Sequence, residues 1–308
     1  MIKLLQGDCL IESKKIKSGS VDLILTDLPY GNMKNAPSTW DADKTKWDTV
    51  IEPKEVYAIA NRTLRKNGKL VLFSQEPYTT RLMTESIPNI PFSYRMIWEK
   101  DHFANSLIAK KAPVSYYEDI LVFSKTHGFG NSDEVREYLN EERKKAKMTL
   151  DEMCAFVGLN DKGHGGAAYH WCSSKQPSMI PRKHYEKLKR ETPFFKEDYD
   201  VLLKAHKDAY KDFRSVFNLW EGGKYKSNIL RYKKDYDGYH PTQKPVSLLE
   251  DLIKTYSNEG DTVVDLTMGS GSTGVACLNT DRNFVGIELD ENYFNIAKER
   301  IENHEVAE

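Results

Sequence analysis

Two stretches of the chain share one texture of hydrophobic and polar positions, and a more polar stretch separates them. "VDLILT" (21–26) is a short, continuous apolar run rich in branched residues, the pattern of a strand buried on both faces. Residues 51–66 place Val56, Ile59, Ala60, Thr63 and Leu64 at helical spacing. "NGKLVLFS" (67–74) then reads as a turn plus a strand, with Asn67-Gly68 closing the helix. "YRMIWEK" (94–100) and "EDILVFSK" (118–125) are further strand candidates. The texture returns late in the chain. "SLLEDLIKTYS" (247–257) is an amphipathic helix, "DTVVDL" (261–266) a buried strand and "VACLNT" (275–280) a helix. "NFVGIEL" (283–289) is a strand and "ENYFNIAKERIEN" (291–303) a closing helix. Strands alternating with helices predict an α/β sheet.

Residues 128–236 differ. Charged helical runs such as "EVREYLNEERKKAK" (134–147) and "DVLLKAHKDAYKDF" (200–213) dominate, and strand signals are few. Across 131–236 there are 22 lysines and arginines against 17 acids, and "RKHYEKLKR" (182–190) holds five of those bases. The pattern predicts an α/β domain in two halves, 1–127 and 237–308, split by a basic, mostly helical insertion at 128–236.

Composition narrows the class. With 308 residues, 39% hydrophobic and 30% charged, the chain fits a soluble globular protein. No apolar run approaches the roughly 20 residues that span a bilayer, and the N-terminus lacks a signal-peptide layout, so no membrane partner is expected. The four cysteines, Cys9, Cys154, Cys172 and Cys277, form no CxxC pair. That usage fits free thiols in a reducing, cytoplasmic setting. A net charge of −1 leaves any nucleic-acid affinity to local patches.

Chemistry concentrates at two strand ends. "VVDLTMGSGSTG" (263–274) sets Gly269 and Gly271 between a strand and a helix, where the backbone must turn sharply and approach a ligand closely. Glu288 follows at the end of the next strand, placed to accept hydrogen bonds from ribose hydroxyls. The glycine run formally fits a dinucleotide loop as well. Asp265 decides between them: an acid at that strand end would repel a pyrophosphate and suits a cofactor with a cationic head, such as S-adenosyl-L-methionine. "DLPYG" (27–31) ends the earlier strand. Asp27 and the main-chain carbonyl of Leu28, aimed by the rigid turn at Pro29, are two acceptors for an exocyclic amine. Tyr30 offers a face for a flipped base to stack on, worth about 1–3 kcal/mol.

These motifs resemble the permuted, beta-type amino-group DNA methyltransferases of the N6-adenine/N4-cytosine family. The matching segments are "GDC" (7–9), "DLPYG", "YYEDILVFSK" (116–125), "HPTQKP" (240–245) and "DLTMGSGSTG" (265–274), in the family's order. The resemblance implies a Rossmann-like methyltransferase sheet, S-adenosyl-L-methionine as cofactor and a flipped base in double-stranded DNA as substrate. It implies Asp27, Leu28, Pro29 and Tyr30 as catalytic residues. It places Asp8 and Cys9 at the cofactor's adenine, and His240, Thr242 and Lys244 at its methionine end. Asp265, Thr267, Gly269, Gly271, Ser272, Thr273 and Glu288 complete the expected cofactor site. Leu28 and Thr267 depart from the family, which usually has Pro and often Phe there. A leading Asp27 favours adenine N6; cytosine N4 is the alternative. No Pro-Cys pair is present, which argues against cytosine C5 chemistry.

The insertion is expected to read DNA. "LDEMCAFVGL" (150–159) and "HGGAAYHWC" (164–172) resemble a helix-turn-helix, with the second helix starting after its glycines. Tyr169, His170, Lys175, Arg182 and Lys183 are the expected DNA contacts. The bland alternative is a helical packing module with a solvated basic face. Cys154, His164, His170 and Cys172 lie close together, but their spacing matches no common zinc pattern, and no metal is expected. The resemblance leaves open a homodimer, since enzymes of this order are often dimers, and a cognate restriction enzyme as a second partner.

Overall fold

A computed structural model describes residues 1–31, 49–104, 109–125, 134–159, 166–173, 178–210, 216–235 and 243–304. In chain order the elements are β1 (Ile2–Gln6), α1 (Cys9–Glu12), β2 (Val21–Asp27), α2 (Pro53–Thr63), β3 (Leu64–Ser74), α3 (Tyr78–Thr84), β4 (Phe92–Ala104) and β5 (Ser115–Ser124). There follow α4 (Glu134–Lys145), α5 (Leu150–Phe156), α6 (Gly166–Cys172), α7 (Arg182–Glu191), α8 (Tyr199–Tyr210) and β6 (Ile229–Arg231). The chain closes with α9 (Val246–Tyr256), β7 (Thr262–Asp265), α10 (Ser272–Asn279), β8 (Asn283–Glu288) and α11 (Glu291–Glu302). Two compact units result, 1–127 with 215–308 and 128–214.

The first unit is built on an eight-stranded sheet in the order β1-β8-β7-β2-β3-β5-β4-β6. All neighbours are parallel except β5, which runs against both β3 and β4. The continuous apolar runs follow from burial on both sides. Leu23 and Leu25 of β2 join a core with Leu248 and Leu252 of α9, Val275 of α10 and Ile301 of α11. Ile24, between them, joins the opposite core with Val56, Tyr57 and Ala60 of α2 and Leu82 of α3. From β7 the chain moves through α10 to β8 on one side; from β2 it moves through α2 to β3 on the other. The strand order therefore reverses between β7 and β2, and ligands of open α/β sheets sit beyond the carboxyl ends at such a point.

Three expectations shift. α2, expected over 51–66, ends at Thr63, and Asn67-Gly68 lies inside β3. There the pairing with β2 jumps from Val21–Leu64 to Leu23–Lys69, and Asn67 takes φ 60°, so the turn signal marks a bulge. Burying Leu64 against Val21 carries the strand back past the turn residues. β1 and β6 had no sequence signal strong enough to be read. The insertion's far boundary falls at 214, not 236. Asn218 donates from Nδ2 to the carbonyls of Lys254 (2.9 Å) and Ser257 (3.0 Å), and β6 pairs with β4, which ties this segment to the sheet unit. Three of the five surplus positive charges expected in the insertion go with it, because 215–236 holds five bases and two acids.

The second unit is helical, with its own core of Leu139, Met153, Trp171, Ile180, Tyr185, Leu188, Phe195 and neighbours. Thr149 and Glu152 form a reciprocal capping box at the start of α5. α6 starts at Gly166, so that glycine sits at the helix end, where it costs little. Among the described residues no helix is long and apolar enough to cross a membrane.

Candidate active site

β2 and β7 lie side by side, and two hydroxyls and a carboxylate tie their carboxyl ends together. Thr26 Oγ1 donates to Asp265 Oδ1 (2.7 Å), lies 2.9 Å from Thr267 Oγ1 and accepts from the Leu266 N–H (3.2 Å). Thr267 Oγ1 in turn donates to the Asp27 carbonyl (2.8 Å). Residues some 240 positions apart thus share one hydrogen-bonded cluster. Thr267, where the resembling family often has an aromatic ring, spends its side chain on this tie.

Beyond the strand tips a cavity of about 750 Å³ opens, within the range of small-molecule sites. Its walls carry Gly7, Asp8, Cys9, Asp27 to Tyr30, Gln243, Lys244, Asp265 to Ser270, Ser272, Thr273 and Glu288. Every expected catalytic residue is present in that wall. So is every expected cofactor residue except Gly271, His240 and Thr242. Gly271 sits just behind as the N-cap of α10, with φ 84°, and a Cβ there would meet Ala297 Cβ at 3.0 Å. His240 and Thr242 lie outside the described residues.

On the glycine side, Glu288 Oε2 accepts from the Gly269 N–H (2.8 Å) and Oε1 from the Asp290 N–H (2.9 Å). Burial pushes the Glu288 carboxyl above its ordinary range despite those two donors. The glutamate therefore holds the glycine loop as well as facing the cavity, and each oxygen keeps a lone pair. Asp265 is buried; Thr273 donates to its Oδ2 (2.6 Å) and the Thr267 N–H to its Oδ1 (3.1 Å). Burial raises its carboxyl to about 6, against those hydrogen bonds. Asp8 caps α1 by accepting from the Leu10 N–H (2.8 Å). Burial and the charge of Asp8 push the Cys9 thiol up to about 12, so it faces the cavity uncharged. The Nε2 of Gln243 is buried beside the cavity without a hydrogen-bond partner among the described residues.

On the other side, Asp27 is gripped at both oxygens. Tyr30 donates its hydroxyl to Oδ1, and Lys244 Nζ reaches Oδ2. Lys244 also lies 3.2 Å from Glu118 Oε2, and Glu118 is paired through Oε1 with Lys100. Desolvation lifts the Asp27 carboxyl, Lys244 opposes it and Glu118 adds to it; the net direction is up. Tyr30 lies tilted against Tyr78, with centroids 6.1 Å apart. The Leu28 side chain is buried in the core with Tyr57 and Leu82, which anchors the turn that a second proline would otherwise stiffen. Lys244, expected at the cofactor, lines the cavity and contacts Asp27 of the 27–30 turn. Sequence reading missed Thr26, Glu118, Lys100 and Gln243, which also line the cavity. An acid pair, Glu118-Asp119, at the head of an apolar strand was the available signal for one of them.

In the helical unit, Tyr169, His170 and Lys183 are exposed. Arg182 is exposed too, but its guanidinium pairs with Asp200 and lies 4.4 Å from the Tyr199 ring centroid. Lys175 lies outside the described residues, as does His164. Cys154 Sγ accepts from the Ala168 N–H (3.3 Å), and Cys172 Sγ lies 3.8 Å from Met153 Sδ. Both cysteines thereby pack α5 against α6.

Comparison with known proteins fits this geometry. The chain is 27% identical over 300 residues to the DNA adenine methyltransferase YhdJ of Escherichia coli (strain K12), covering 97% of this chain and 82% of the relative. It is 25% identical over 307 residues to the Type II methyltransferase M.HindIII of Haemophilus influenzae, covering 96% and 93%. Among solved structures it resembles M1.HpyAVI, determined as a SAM complex, at a TM-score of 0.53 and 20% identity over 98% of this chain and 99% of that one. It resembles the cytosine-N4-specific PvuII DNA methyltransferase at a TM-score of 0.53 and 14% identity over 99% and 88%. At those identities the two structures speak for the fold alone, a methyltransferase sheet. The model of the N6/N4 DNA methylase family matches residues 21–299, which takes in both strand-end motifs and all of the cavity wall except its 7–10 segment, and the chain belongs to that family.

Proposed function

We propose that the protein transfers a methyl group from S-adenosyl-L-methionine to the exocyclic N6 of adenine in double-stranded DNA. One observation carries this reading: the Asp27–Tyr30 turn and the 267–270 loop open onto the same cavity at the reversal of strand order. The residues present suit the cofactor. Glu288 has acceptor capacity that would serve ribose hydroxyls, the buried carboxyl of Asp265 would complement a cationic centre, and the Gln243 Nε2, without a partner among the described residues, would donate to a carboxylate. When bound, the cofactor supplies an electrophilic methyl group on a cationic sulfur.

The protein's own work is orientation. Asp27 and the Leu28 carbonyl accept from the amine, which leaves its nitrogen lone pair less delocalised into the ring; once methylated, the nitrogen sheds its surplus proton to water or to Asp27. Pro29 fixes the turn, and Tyr30 supports the base. Position and electrostatics carry the rate, and no nucleophile on the enzyme is needed. An aspartate, not a serine, at position 27 supports adenine, and an adenine methyltransferase is among the relatives. Incubation with unmethylated DNA and methyl-labelled cofactor, followed by digestion to nucleosides, tests the reading. Label in N6-methyldeoxyadenosine is expected. Label in N4-methyldeoxycytidine moves the target to cytosine, and unlabelled DNA overturns the proposal.

A further inference from the structure

Lys244 and Glu118 are buried charges that neither donate nor accept the transferred methyl group. Their side chains are 8% and 10% exposed, and both line the cavity. They form one chain of alternating charge: Asp27, Lys244, Glu118, Lys100. The Lys244 ammonium also lies 5.1 Å from the centroid of the Phe73 ring, so an aromatic wall fixes its approach.

We propose that Lys244, anchored by Glu118, is a positioning residue of the catalytic turn: it fixes Asp27 Oδ2 and keeps that carboxylate ionised, so that Asp27 only accepts from the substrate amine. This rests on the reading of Asp27 as the amine acceptor and deepens it. The physical need is plain. A carboxyl with a desolvated face drifts towards its protonated form, and a protonated Asp27 would present a donor where an acceptor is required. Tyr30 reaches only Oδ1 and carries no charge. Glu118 on β5 and Asp265 on β7 are negative neighbours that disfavour a second anion. Among the described residues Lys244 is the cation paired with Asp27; Lys100 pairs with Glu118, and Lys234, another basic group near Lys244, has its own ammonium form disfavoured by burial. The carboxylates of Asp27 and Glu118 in turn hold Lys244 protonated against burial. Glu118 leaves Lys244 in place while paired on its far side to Lys100.

Carboxyl 13C NMR titration tests the pairing, with the Asp27 signal assigned by its loss in Asp27→Asn. In Lys244→Met the Asp27 midpoint should rise by a pH unit or more, while Lys244→Arg stays near wild type. In Glu118→Gln it should fall, because a negative neighbour is gone. Cofactor affinity should change less than threefold in all three. Methyl transfer by Lys244→Met should drop at least tenfold near neutral pH and recover as pH rises. An unmoved Asp27 midpoint in Lys244→Met, or a tenfold loss of cofactor affinity with the midpoint unmoved, overturns the proposal. If Lys244→Met does not fold, Lys244→Gln takes its place: the same rise of the Asp27 midpoint is expected, with Lys244→Arg unchanged, and an unmoved midpoint counts against the proposal. Wild-type protein that methylates no DNA defeats the functional reading, while the titrations still decide the pairing.

Discussion

Asp27 and Asp265 are two carboxylates at adjacent strand tips with different surroundings. Asp27 is met by a lysine and a tyrosine hydroxyl, and Asp265 by two threonine hydroxyls and a main-chain N–H. Asp27→Ala should lower transfer by a factor on the order of 10²–10³, as loss of one preorganised polar group at a reacting centre typically does. Cofactor affinity should hold within a few fold; a mutant with ordinary turnover would contradict the assignment. Asp265 gives a pH signature. Its folded pKa of about 6 lies above the ordinary value, so by itself it favours the folded state below pH 4 and that contribution is lost as pH rises through 6. Binding of a cationic cofactor requires the opposite, ionised form. Calorimetry should therefore show affinity falling up to roughly tenfold per pH unit as pH drops below about 6. A flat profile from pH 5 to 7 would remove Asp265 from the cofactor site. Much of this was legible in the chain, since Asp27, Tyr30, Gly269 and Glu288 sit at strand ends with fixed spacing. The contact of Lys244 with Asp27 was not legible, because a motif says which residues gather, not which neighbour each one faces. Thr26 was invisible because a threonine in a buried strand reads as an ordinary branched residue until its hydroxyl has a partner.

At the scale of elements, the site depends on two ties. One is the cluster of Thr26, Thr267 and Asp265 between β2 and β7. Thr267→Val removes the donor to the Asp27 carbonyl and should cost about 1 kcal/mol, read as a lower denaturation midpoint. Transfer should fall by more than stability does, because the catalytic turn loses its link to the glycine loop; an equal loss would make the tie purely structural. The other is the close approach of α10 and α11 at Gly271. Left-handed φ and the Ala297 contact both oppose a side chain there, so Gly271→Ala should destabilise by about 2 kcal/mol. Unchanged thermal stability would show that the loop relaxes freely. Long periodic helices and apolar strands of the sheet were readable. Short β6 was not, because three residues carry no period, and the bulge in β3 was read as a helix stop because Asn-Gly serves either use.

For the whole molecule, the helical unit has its own core, and its exposed Tyr169, His170 and Lys183 are the proposed DNA contacts. Lys183→Ala should weaken DNA binding evenly across sequences and reduce the salt slope of log affinity by about one, with cofactor affinity unchanged. An unaltered slope would assign Lys183 to solvent. Arg182, held by Asp200, should matter less. The central claim is convergence: two segments far apart in the chain present a base and a methyl donor to each other across one cavity. The most direct measurement is the affinity of a conjugate that joins adenine N6 covalently to the donor end of the adenosyl cofactor. The account predicts binding about 10²–10⁴ times tighter than S-adenosylhomocysteine alone, with the gain lost in Asp27→Ala. A conjugate that binds no tighter than S-adenosylhomocysteine would contradict it.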